Sequence, residues 1–221
     1  MTLDRDLNKM IELARFRDAI PVEDARVLIK KSTAVFRALM LEVGHDKSQV
    51  QKLITKFRDA GRRSPPWRQT SQRVPGRPQD GADGNRINRW LLPEDHKFAA
   101  DETTATLVEV RYYLQALSMD GAPEFDDTRI HHAFEWLVGH DVRPGEYVDP
   151  IQMVPISIHE IVDDARLIQS GHYVPLDRGG RHEPSNAFLM LARSNQLQGN
   201  LTVDELIELM DRIVVRHKTE G

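Results

Sequence analysis

Residues 170–202 read SGHYVPLDRGGRHEPSNAFLMLARSNQLQGNLT, and the order of elements in this stretch decides the fold. Short strands are predicted over 166–169 and 172–176, bounded by turn-forming residues. Asp177 with Gly179 and Gly180 predicts a tight turn over 177–180, because glycine reaches backbone angles that turns require. Pro184 and Ser185 then open a helix expected to carry Phe188, Leu189 and Leu191. The expected order is strand, strand, helix, in a module over about 165–200.

Working outward, Leu201-Thr202-Val203-Asp204-Glu205 looks like a helix start, and a final helix is predicted from 202 to about 217. At the other end, Leu3, Leu7, Met10, Ile11 and Leu13 recur at helical spacing. Pro21 opens a second run with Val27, Leu28, Val35, Phe36, Leu39 and Met40, which Gly44 ends. Asp46 can cap a third helix carrying Val50, Leu53, Ile54 and Phe57, closed by Gly61. Asp101 can cap a fourth through Leu107, Val108, Tyr113 and Leu114, and a fifth is expected over 127–138. His131, His132 and His140 are read as structural, since adjacent helical residues point about 100° apart and share an ion poorly. Three regions result: N-terminal helices over 1–61, a basic Pro/Gly-rich loop or linker over 62–100, and a helical region over 101–221 that contains the module. The fold class is α+β, predominantly α-helical.

Composition agrees. Of 221 residues 40% are hydrophobic, 29% charged and only 6% aromatic, so the core must be built mainly from aliphatic residues, which suits packed helices better than a β-sandwich. The absence of cysteine excludes disulfides, thiolate zinc sites, iron–sulfur clusters and a cysteine nucleophile. No apolar run approaches the ~18 residues of a membrane span, and a cytoplasmic protein is expected.

The net charge of −4 hides an asymmetry. Residues 52–89 hold ten Lys and Arg against three Asp, which leaves +7 there and −11 on the rest. A basic strip on an acidic body suits a protein that meets phosphate with one face. Arg62, Arg63, Arg68 and Arg73 are the candidate nucleic-acid contacts, with Trp67 and Trp90 interleaved as stacking surfaces. A solvated linker remains the alternative.

The module resembles the HNH, or ββα-metal, endonuclease family in its HNN variant. His172 is followed by Asn186 fourteen residues on and Asn195 twenty-three on, with Pro175 and Gly179-Gly180 between. The tail Asn195-Gln196-Leu197-Gln198-Gly199 is similar to the family's N-x-x-x-G ending. The resemblance covers about a fifth of the chain. It implies that His172 is the general base, its ring polarised by a backbone carbonyl, and that Asn186 braces the loop. It further implies that Asn195 supplies an oxygen to Mg²⁺ or Mn²⁺. Arg178, Arg181 and Arg193 flank the expected site, Arg193 as a clamp on phosphate oxygens.

One departure stands out. Where the family commonly has a metal-binding Asp or His directly before the base, this sequence has Gly171. Either a ligand comes from elsewhere, with Glu160, Asp163, Asp164, Asp177 and foremost His182 as candidates, or the metal is lost and the module only binds DNA. The resemblance thus implies a metal-dependent, restriction-type endonuclease on double-stranded DNA, of a kind of which many act as homodimers on palindromic sites. The alternative is a non-catalytic DNA-binding or assembly protein on a degenerate scaffold, and an RNA substrate also stays open.

Overall fold

The computed structural model describes residues 2–65 and 86–220. Helix α1 is Thr2–Ala14, α2 is Val22–Glu42 and α3 is Lys47–Gly61. The expected caps form. Asp46 accepts from the amides of Ser48 (2.8 Å) and Gln49 (3.1 Å), and Asp101 accepts from Thr104 N (2.9 Å) to start α4, Glu102–Ala116. Each satisfies orphan donors of a first turn, worth about 1 kcal/mol.

Helix α4 is the axis of the molecule. Residues 105–110 and 112–116 of it are buried, and α2, α3 and the small sheet pack around it. Phe36, Phe57, Tyr112 and Tyr113 form its aromatic centre, with Tyr113 at 5.4 Å from both phenyl rings. One apolar cluster runs from Leu7 to Leu189, so the N-terminal helices and the C-terminal region share a core. Gly61 is what lets α3 press on α4. A Cβ there would lie 2.6 Å from Glu109 Cβ, closer than real contacts allow.

The predicted helix over 127–138 is corrected to two short ones, α5 (Arg129–Ala133) and α6 (Glu135–Val138), interrupted at Phe134, which is fully buried. Helix α7 is Ile158–Asp163.

Strand β1, Ile168–His172, pairs antiparallel with β2, Ala187–Leu191, from Ile168↔Leu191 to His172↔Ala187. Helix α8, Ala192–Gln198, and α9, Val203–Glu220, follow. The predicted strands over 166–169 and 172–176 are replaced by the single strand β1, and the second strand lies where a helix opening at Pro184 is expected. Residues 176–178 form a 3₁₀ turn, in keeping with the turn expected from 177 but taking Leu176 out of the expected strand, and Phe188, Leu189 and Leu191 lie on β2 rather than on a helix. The physical reason is burial on both faces of β2: Ala187 and Leu189 join the main core, while Phe188 and Met190 pack with Ile151 and Leu206. An apolar run buried on both sides loses the alternation that marks a strand.

Among the described residues the chain is mostly helical with one two-stranded sheet, an α+β arrangement. Among the described residues no helix is long and apolar enough to cross a membrane.

Candidate functional site

The loop joining β1 to β2 is closed by one side chain. Asn186 accepts from Val174 N (2.8 Å) and donates through Nδ2 to Val174 O (3.0 Å) and Arg181 O (2.8 Å). Gly179 turns the chain at φ +86°, and a Cβ on Gly180 would fall 2.0 Å from Val174 O. Both glycines are required, one by its backbone angle and one by the approach of a carbonyl.

His172 closes β1 beside this loop. Its Nε2 lies 3.1 Å from His182 Nδ1, and His182 Nε2 lies 2.7 Å from the carbonyl oxygen of Gly61 at the end of α3. A carbonyl can only accept, so His182 donates through Nε2 and keeps a lone pair on Nδ1. His172 must then donate through Nε2, which leaves its Nδ1 as the unprotonated nitrogen. That atom makes no hydrogen bond to a described residue.

Burial, and then the charge of Arg89, push the His172 imidazole down to about 4, and burial holds His182, 1% exposed, well below the usual range too. Both rings are neutral at neutral pH. Arg89 is itself 4% exposed and donates to Gly61 O (2.9 Å), Ala60 O (3.1 Å) and Phe98 O (3.1 Å). It caps α3, where the helix dipole favours a cation, and burial lowers its affinity for the proton to about 10.

Helix α8 is positioned from two sides. Asp149, fully buried, accepts from Leu191 N (2.7 Å), Ser194 Oγ (2.8 Å), Ile151 N (2.9 Å) and Gln152 N (2.7 Å), so its carboxylate serves the helix start from a distant loop. At the other end Gln198 Nε2 donates to the carbonyl oxygen of His172 (2.7 Å). Asn195 lies one turn before Gln198 and is exposed, with no side-chain hydrogen bond to a described residue.

The arginines divide. Arg62 is committed to the buried Glu109, Arg63 to Asp59 (3.3 Å) and Arg178 to Glu205. Arg181 and Arg193 are exposed and form no ion pair with a described residue. Arg68, Arg73 and Trp67 lie outside the described residues. Among the described residues on either side, Ser64 N donates to Ile87 O (2.8 Å), and Pro65 and Arg86 line a cavity of about 250 Å³ with Lys56 and Ser170.

A hard divalent cation seeks several oxygens, preferably carboxylates. The described residues around His172 do not supply them. Among the described residues no group of three His, Asp or Glu ligand atoms gathers at His172. Asp164 is paired with Arg166 (2.8 Å) and Asp177 with Lys97, while Asp163 acts on His45. His182, expected as the leading substitute ligand, has both ring nitrogens engaged and no lone pair left for an ion. At position 171 a Cβ would sit 2.3 Å from Met190 Sδ and 3.1 Å from the Phe188 ring, so the space a ligand would need is filled by the core.

Elsewhere, His132, Glu135 and Asp141 place ligand atoms within 4.8 Å of one another, a grouping that the structural reading of the histidines missed. His132 Nδ1 lies 2.7 Å from Asp141 Oδ1, and Arg143 pairs with the other oxygen at 2.5 Å. Their spacing could have signalled it: His132 and Glu135 stand three apart. Arg89 and Asp149 were also missed as organising residues. Asp149 before Pro150 is an ordinary turn opener, and nothing local marks Arg89 off from its basic neighbours.

No family model matches the chain, and no curated protein matches it. A solved crystal structure of a type II restriction endonuclease is similar to it at 22% identity and a TM-score of 0.47, over 60% of this chain and 62% of that one. The match thus spans under two thirds of that protein, and a likeness of this size assigns no activity here.

Proposed function

We propose that this chain is an HNH-type endonuclease that hydrolyses phosphodiester bonds in double-stranded DNA, with His172 as general base. The observation that carries this reading is the chain from Gly61 O through His182 to His172. It leaves a neutral imidazole with a bare Nδ1 at the end of a braced hairpin, which is the form a base must take before it accepts a proton.

In this reading His172 Nδ1 takes a proton from water as the water oxygen bonds to phosphorus, and the opposite P–O bond breaks, its oxygen taking a proton from solvent. A neighbouring anionic phosphate raises the proton affinity of the imidazole, offsetting part of the depression by burial and Arg89. Arg193 and Arg181, unpaired and exposed, are the cations available to clamp phosphate oxygens. Asn186 is a positioning residue that holds the loop. Mg²⁺ or Mn²⁺, implied by the resemblance, would neutralise charge on the leaving oxygen. Because the described residues offer it no shell, no step is assigned to it. Asn195 is the one exposed oxygen donor of the motif. Sequence choice, as in a restriction-type enzyme, would fall to the basic segment and the N-terminal helices.

The second reading, a DNA-binding scaffold without cleavage, is favoured by the packing of Met190 and Phe188 against Gly171. Supercoiled plasmid separates the two when incubated with Mg²⁺, with Mn²⁺ and with EDTA. Nicking or linearisation that His172→Ala abolishes supports the nuclease. A band shift without cleavage in every arm supports the scaffold.

A further inference from the structure

Helix α9 is anchored only by its first turn. Thr202 and Glu205 form a reciprocal capping box, Thr202 N donating to Glu205 Oε2 (2.9 Å) and Glu205 N to Thr202 Oγ1 (3.2 Å). Arg178 pairs with Glu205, and Leu206 is buried against the Ile151, Phe188 and Met190 cluster. Beyond that point residues 207–219 are all exposed among the described residues. About 20 Å of helix therefore stands clear of the body at 1.5 Å per residue. An isolated helix of this length is marginal in water.

This free length is not polar all round. Ile207 (52% exposed) and Met210 (41%) stand three apart, the adjacent Ile213 (47%) and Val214 (47%) follow Met210 at three and four residues, and together they continue the stripe that Val203 and Leu206 begin. A contiguous exposed apolar stripe of this kind marks an association surface.

The charges say what covers it. Asp204, Glu208 and Asp211 lie in the first half of α9 and Arg212, Arg216 and Lys218 in the second. Asp204 and Lys218 stand two heptads apart on one flank of the stripe, with Asp211 midway. A second copy laid antiparallel about that midpoint sets Asp204 of each helix beside Lys218 of the other, two opposite-charge pairs against one like-charge meeting of the two Asp211 residues, while Glu208 and Arg212 pair with each other within the helix. A parallel arrangement sets like charges together. A surface complementary to itself under a two-fold rotation is what an isologous dimer requires.

We propose that α9 is a dimerisation arm, whose apolar stripe pairs with the same stripe of a second copy of this chain in an antiparallel two-helix contact. This stands apart from the nuclease reading. A single helix pair is a small interface, so the dimer should be of micromolar strength, and sedimentation of the full chain from about 1 to 100 µM should pass from monomer to dimer. Ile213→Asp, at an exposed position, should weaken association at least tenfold while the circular dichroism of the body stays unchanged. Because the chain has no cysteine, single introduced ones report the pairing. Under mild oxidation Asp204→Cys mixed with Lys218→Cys should give a cross-linked dimer, and each variant alone should give little.

Cross-linking of each variant alone but not of the mixture would overturn the antiparallel pairing. A monomer throughout the concentration range, or a dimer that Ile213→Asp leaves intact, would overturn the arm itself and show that a different partner covers the stripe.

Discussion

His172 Nε2 and His182 Nδ1 stand 3.1 Å apart, and that contact fixes which nitrogen of each ring bears the proton. Its origin lies in the far end of another helix, because Gly61 O on α3 accepts from His182 and so orders both imidazoles. The N-terminal helices thereby set the chemistry of a hairpin more than a hundred residues later.

His182→Ala removes the acceptor for the His172 N–H and lets the ring tautomerise and turn. Under the nuclease reading the cleavage rate should fall by about 10²-fold, the lower part of what a positioned base contributes. Binding of duplex DNA, read by anisotropy, should change little. His172→Ala should remove cleavage entirely with the same near-constant affinity. A His182→Ala enzyme that cuts at the unmodified rate would detach the relay from function.

Asn186→Ala deletes three hydrogen bonds and strands the N–H and C=O of Val174 with Arg181 O. Groups that are partly buried and lose their partners cost about 1 kcal/mol or more each, so a loss of about 2–4 kcal/mol is expected. Urea denaturation measures it. Asn186→Asp keeps the acceptor but loses both donors, and should lie between the alanine variant and the unmodified protein.

How far the sequence went is plain at particular residues. Asp46 and Asp101 announced their helices, because a cap is a local device of three or four residues. The run 187–191 reads as helix and forms β2 instead, because a strand buried on both faces shows no alternation. Arg62, a candidate phosphate contact, pairs with Glu109, a partner 47 positions away that no local pattern announces. Arg89 and Gly61 O were invisible as parts of the site, because their contact depends on how α3 ends against α4, and no short-range pattern encodes that. The reading of Gly171 as a missing ligand likewise could not foresee that Met190 occupies the space.

Gly171→Asp tests that last point. If the position were simply an erased ligand, the substitution would create affinity for Mn²⁺, visible by calorimetry. The packing predicts otherwise. A Cβ 2.3 Å from Met190 Sδ forces that flexible side chain to move, and a carboxylate would enter an apolar cluster. Overpacking of this kind costs typically about 1–3 kcal/mol, so a lower melting temperature without new metal affinity is expected.

The buried imidazoles also make stability depend on pH, with a sign that can be worked out. In the unfolded chain a histidine binds its proton near 6.5, and in the native state burial and Arg89 bring His172 down to about 4. The native protein thus holds fewer protons than the unfolded one between those values, so stability must fall as pH falls across that window. The contribution of His172 is fully present above about pH 6.5 and is lost on approach to pH 4; His182 acts in the same direction. Carboxylates held low by arginines, Asp164 and Glu205 at about 2, add their loss further down, while Glu109, raised by burial, works in the opposite direction. His45 and His140 are lowered by burial as well, so the site must be isolated by difference. Urea unfolding between pH 4 and 8 should give a curve that declines below about pH 6.5 and is flatter in His172→Gln, which keeps a donor toward His182 but cannot be protonated. Equal slopes for the two proteins would mean that His172 titrates normally, and the neutral relay would then be wrong.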